Sequence, residues 1–186
     1  MEESLHLINE IMEVHAKFIQ LNYDHWLHYE FYTWQWWVLM FILIVPWFIW
    51  LAVLDKKKVV EIFLYGQMIF LFTTGMDAIG VTYRLWYYPI KVSPKLPHIF
   101  PLDSTVLPII YMIIYQHCPR WPLFLKATIV MAAVFAFIGE PLVERMGFYT
   151  PLNWLIIYSF PIYIIIGVVC KKFIDWLVSI RQKHER

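Results

Sequence analysis

Apolar residues gather into long runs separated by short polar breaks. This spacing predicts an all-α fold, a polytopic transmembrane helical bundle of about five spans. Ahead of the first span, residues 1–30 place Leu5, Ile8, Met12, His15 and Ile19 at helical spacing, with Ile11, Phe18 and Leu21 broadening the stripe. They predict an N-terminal amphipathic helix. Its polar face is acidic, whereas helices that lie on anionic lipid are usually rich in Lys and Arg, so it is expected to pack on the outer surface of the protein or on a partner. The first span, residues 34–54, is broken only by Gln35 and Pro46, and its tryptophans (Trp34, Trp36 and Trp37, then Trp47 and Trp50) suit two interfacial belts. At about 1.5 Å per residue, a run of this length reaches roughly 30 Å, the thickness of a hydrocarbon core.

The second span, residues 59–85, carries Glu61, Gln67, Asp77 and Arg84. Pro89, Pro94, Pro97 and Pro101 then predict an ordered loop at the membrane surface, after which Asp103 and Ser104 offer a helix N-cap. The third segment, residues 104–118, is short and reads either as a span or as a re-entrant element. Spans at 123–139 and 151–170 follow, and residues 171–186 predict a C-terminal interfacial helix. No stretch is long enough for a separate soluble domain, so residues 1–186 form a single membrane domain.

Composition sharpens this picture. Of the residues, 61% are apolar or aromatic, well above the roughly 45–50% of soluble domains. A net charge of +1, with no face or tail that concentrates enough Lys and Arg to neutralise many phosphates, argues against nucleic acid as a partner. Residues 1–30 set six acids against the single Lys17 without a continuous apolar core, so no secretory signal is expected there. The cysteines, Cys118 and Cys170, sit beside basic breaks and are expected to be reduced.

The basic residues set the orientation. Lys56, Lys57, Lys58, Arg120, Lys126, Lys171, Lys172, Arg181, Lys183 and Arg186 fall on one side of a five-span chain and make up 10 of its 15 Lys and Arg residues. Lys17, Arg84, Lys91, Lys95 and Arg145 fall on the other. The expected arrangement has the N-terminus outside and the C-terminus in the cytoplasm.

Phosphate-binding glycine loops, nucleophile elbows and metal-ligand spacings are absent. His15, His25 and His28 beside Asp24 and Glu30 imitate a metal site only weakly, and neither a metal nor a cofactor is expected. Gln116 and His117 are expected to satisfy helix-end carbonyls. The sharper signal is charge within the spans, since an unpaired charge at bilayer depth costs about 2.5–3.5 kcal/mol on insertion scales. Asp77 and Arg84, seven apart, share a helix face at a separation of roughly 10 Å, so each is expected to look to another helix. Ala132, Ala136 and Glu140 form a stripe that lets a neighbouring helix approach, which turns Glu140 toward protein and toward Arg84 as a partner. With Asp103, Glu144 and Arg145 these residues form a candidate polar site, Asp77, Arg84, Asp103, Glu140, Glu144 and Arg145. It reads either as a clamp on the span ends or as an outward-facing site for a cation, a proton or a polar substrate.

The segments LWYYPIKV, KLPHIFPLDSTVLPIIYMIIYQHC, GEPLVERMGFY and NWLIIYSFPIYIIIG, spread over residues 34–170, together resemble an uncharacterised family of small polytopic membrane proteins from spore-forming Gram-positive bacteria. That family carries no assigned activity, so the resemblance implies a bacterial cytoplasmic membrane and no site residues. The first functional reading is a non-catalytic accessory or interaction subunit. Its partners would be the lipid bilayer and either another membrane protein or a second copy of the chain. The alternatives are a small transporter or channel-like protein using Asp77, Arg84 and Glu140, and a membrane enzyme acting on a lipid or isoprenoid with acids as proton donors. Lipid in an apolar cleft beside Glu140 would favour the enzyme, and a continuous polar path would favour the transporter.

Overall fold

The computed structural model describes residues 2–96 and 101–184. Pro97 of the proline loop and Arg186 of the basic tail lie outside the described residues. The fold is the expected all-α bundle. Helix α1 (Glu2–His25) passes through a wide turn (Trp26–Glu30) into α2 (Trp34–Val53), which starts where the Thr33 hydroxyl accepts from the Trp36 backbone N–H at 3.2 Å. Asp55 caps the Lys56–Lys58 turn by accepting from the Lys57 N–H at 3.0 Å, and α3 (Val59–Thr82) runs back. A wide turn at Leu102–Val106 leads into α4 (Leu107–His117). Then α5 (Trp121–Val134), a wide turn (Phe135–Gly139) and α6 (Glu140–Arg145) form one rod. Helix α7 (Ile156–His184) closes the chain. Strands β1 (Trp86–Tyr87) and β2 (Thr150–Pro151) make a two-residue antiparallel ladder between the chain after α3 and the chain before α7.

Among the described residues, four helical stretches are long and apolar enough to cross a membrane: Trp34–Val53, Val59–Thr82, Trp121–Arg145 and Ile156–Ile180. This is a multi-pass membrane protein. The third segment closes a shorter passage, from Val92 to Gln116, whose two ends lie at opposite ends of α2. The Trp36 indole donates to the Val92 carbonyl at 3.0 Å near the start of α2, and the Gln116 amide donates to the Val53 carbonyl at 2.7 Å at its finish. Gln116 Oε1 also accepts from the Asp55 N–H at 3.0 Å, so this side chain satisfies another helix's end, while the His117 ring bonds the Ile113 carbonyl at 3.0 Å. Val92 and Gln116 therefore stand at opposite ends of α2.

Two local corrections share one cause. The fourth long helix was expected to stop at residue 139 but continues to Arg145, and Asp103 was expected to cap α4 but sits inside a helical turn ahead of it. Pro141 and Pro108 have no N–H to return to the preceding turn, and at both places the helix widens by a residue instead of ending. Helix α1, expected to pack on the outer surface of the protein or on a partner, buries none of its residues and is tied to the following turn through His25, whose Nδ1 lies 2.9 Å from Glu30 Oε1. The tail beyond residue 170 is helical as expected, continuous with α7.

The densest packing surrounds α4. Tyr65, Ile69, Met112, Tyr115 and Phe124 are buried there, with Tyr65 stacked on Tyr115 at 4.6 Å. A Cβ on Gly66 would collide with Met112, so glycine is what lets α3 and α4 approach this closely. Lys171 is buried at the same end, its ammonium 4.7 Å from the Tyr115 ring and 5.2 Å from each of Trp121 and Phe124, with Asp175 at 3.3 Å. Cys170 beside it is a free buried thiol.

Candidate functional site

The third passage is helical over only part of its length. Thr105, at the start of its helical part, accepts from the Trp47 indole at 3.2 Å and lies 3.4 Å from the Leu43 carbonyl, which puts it halfway along α2. Toward the Lys57 end, α4 fills the space between α3, α5 and α7. Toward the Glu30 end no helix among the described residues takes its place, and a cavity of about 270 Å³ remains.

Each wall brings a carboxyl group. Asp77 comes from α3, Asp103 from the wide turn ahead of α4, and Glu140 from the point where the fourth long helix widens. Asp77 Oδ1 accepts from the Trp86 indole at 2.9 Å and from the Tyr88 hydroxyl at 2.6 Å. Burial, reinforced by the Asp77 carboxylate, pushes the Tyr88 hydroxyl well above its usual range, so it remains a donor. Glu140 Oε1 accepts from the Tyr163 hydroxyl at 2.9 Å. Its Oε2 is buried without a well-aligned hydrogen bond, although the Ser159 hydroxyl, which accepts from the Trp154 indole at 3.0 Å, adjoins the carboxyl. The Asp103 carboxylate takes no hydrogen bond and no ion pair among the described residues; the contact from the Thr73 hydroxyl at 3.4 Å goes to its backbone carbonyl. The rest of the lining is apolar and aromatic, and among the described residues it includes no Lys, Arg or His.

The six residues expected to form a polar site divide into two groups. Asp77, Asp103 and Glu140 come together on the cavity, whereas Arg84, Glu144 and Arg145 are exposed and do not line it. The expected Arg84–Glu140 pair does not form. Helix α3 ends at Thr82, Arg84 takes a left-handed conformation (φ 55°), and its carbonyl accepts from the Asn153 side chain at 3.2 Å, so its own side chain is turned outward. The aromatic donors Trp86, Tyr88 and Tyr163 were legible only as belt and packing residues, because nothing in their spacing marks the carboxylate each one reaches.

A second polar cluster went unforeseen. Glu30 is fully buried and Lys91 nearly so. Glu30 Oε2 accepts from the Lys91 backbone N–H at 2.6 Å, and its Oε1 lies 3.3 Å from the Lys91 ammonium and 2.9 Å from His25 Nδ1. The Trp26 indole donates to the Lys91 carbonyl at 3.1 Å. These bonds fix residues 86–92 as a strap. Its far end carries Trp86 and Tyr88, the two donors to Asp77 over the cavity. His25 thus serves Glu30 as a hydrogen-bond partner.

The chain matches no protein-family model, no curated protein and no solved structure.

Proposed function

We propose that this protein binds a small, largely apolar molecule in the cavity between α3, the α5–α6 rod and α7, and does so in a bacterial cytoplasmic membrane. One observation carries the reading. A hollow of about 270 Å³ is lined by aromatic and aliphatic side chains with a few convergent carboxyl groups, the usual make-up of a ligand site between helices. No ligand chemistry is needed to test it. Gly139 lines the cavity, and a Cβ there meets nothing nearer than 3.7 Å, so Gly139→Phe has room for a ring beside the hollow and is the variant expected to fill it. In nanodiscs, tert-butylbenzene is expected to raise the Tm of the native protein saturably, by an amount that grows as RT ln(1 + [L]/Kd). It is expected to leave Gly139→Phe unmoved. Equal shifts in the two proteins would place the probe elsewhere and defeat the proposal.

The accessory-subunit reading keeps one observation of its own. Helix α1 exposes Leu7, Ile11, Val14 and Phe18 along one side without burying any of them, a face that association with another protein would cover.

For orientation, the proposal keeps the N-terminus outside, because Lys56, Lys57, Lys58, Arg120, Lys126 and Lys172 gather toward one end of the bundle. With native cysteines removed, a cysteine at Pro94 is expected to react with an impermeant reagent on intact cells and one at Lys57 is not. Reaction at Lys57 alone would invert the arrangement.

A further inference from the structure

We propose that the molecule held in this cavity is an organic cation, its positive group seated between Asp103 and Glu140 and its apolar body against the surrounding rings. The inference rests on the cavity being a binding site and adds the class of ligand. Its ground is the mismatch between charge and solvation in the hollow. The Asp103 carboxylate meets neither a hydrogen-bond donor nor a base among the described residues, and Glu140 keeps one oxygen buried without an aligned donor. Asp77 on the facing wall is already engaged by Trp86 and Tyr88, so the uncompensated acids are Asp103 and Glu140. Acids crowded in apolar surroundings cannot all ionise unless positive charge joins them. A ligand that brings that charge gains from each, in a setting where water screens little.

Two further features select an organic cation over a bare metal ion. The three carboxyls line one space yet do not converge closely enough to ligate a single ion among the described residues. Meanwhile, Tyr149 apart, the polar tips of the aromatic lining are already engaged. The Trp86 and Tyr88 donors are on Asp77, the Trp154 indole is on Ser159 and the Tyr163 hydroxyl is on Glu140. What these side chains have left for a ligand is ring surface. Rings and carboxylates together suit a soft cation such as a substituted ammonium, which sheds its water more readily than a metal does.

The test compares phenyltrimethylammonium with tert-butylbenzene, a neutral molecule of the same shape, on the full chain in nanodiscs, with benzenesulfonate as the anionic control. Competition binding is expected to favour the cation by at least about tenfold over the neutral probe, and benzenesulfonate is expected not to bind. Asp103→Asn and Glu140→Gln are each expected to reduce cation affinity several-fold while leaving tert-butylbenzene binding unchanged, which also shows that the cavity is intact in the variants. If the neutral probe seats as well as the cation, or if neither variant alters the preference, the cation assignment fails while the cavity remains a binding site. If neither probe seats, both proposals fail.

Discussion

Replacing Glu30 with alanine is expected to destabilise the protein by about 3–5 kcal/mol, the usual cost of stranding one member of a buried ion pair. The Glu30 side chain is 0% exposed and the Lys91 side chain 5%, so solvent cannot take over when the carboxylate is lost. Three interactions go together: the bond from the Lys91 N–H, the ion pair to its ammonium, and the bond to His25. Replacing both charged residues, in Glu30→Leu with Lys91→Met, is expected to cost clearly less than the sum of the two single changes, because it leaves no unpartnered buried charge. Unfolding titrations in detergent on the four proteins would measure this. Additive losses would mean that the two side chains do not depend on one another.

Gly80→Ala carries the next largest effect. A Cβ at this position would collide with Trp86 ring atoms, so the benzene side of that indole sits directly against Gly80. The ring cannot retreat without giving up its 2.9 Å bond to Asp77 and disturbing its edge-on contact with Trp154 at 5.0 Å. Overpacking of this kind typically costs about 1–3 kcal/mol. A smaller side chain in the strap should restore room, so Trp86→Leu combined with Gly80→Ala is expected to be less destabilised than the two single losses predict. Thermal melts and tert-butylbenzene binding report the two consequences separately, and an unchanged Tm in Gly80→Ala would show that Trp86 does not rest on α3.

The sequence made the spans legible because their cause is local: an apolar run of sufficient length has no better solvent than a bilayer. It also placed Glu140 on the protein-facing stripe of Ala132 and Ala136, both of which are fully buried. The gathering of Asp77, Asp103 and Glu140 was legible only as a shared depth. Which members of that group would meet depended on where the helices end. Arg84 lies two residues past the end of α3, in a conformation that points it away, and spacing counted on an ideal helix could not show this. The Glu30–Lys91 pair was invisible for a related reason. Its partners stand 61 residues apart, and both looked like surface charges in polar stretches. Only the return of the strap over the end of α2 buries them.

The short third passage also bears on how the protein is made. Four of its helical stretches satisfy, on length and apolarity alone, what a bilayer asks of an inserting segment. The helical part of the third passage, residues 102–117, reaches only about 24 Å at 1.5 Å per residue, and ahead of it the carbonyls of Lys91 and Val92 take borrowed donors, the indoles of Trp26 and Trp36. Outside the company of α2, α3 and α7 those groups would face lipid unbonded. The third passage is therefore expected to settle after its neighbours have entered, which would make the cavity a product of assembly and not of insertion.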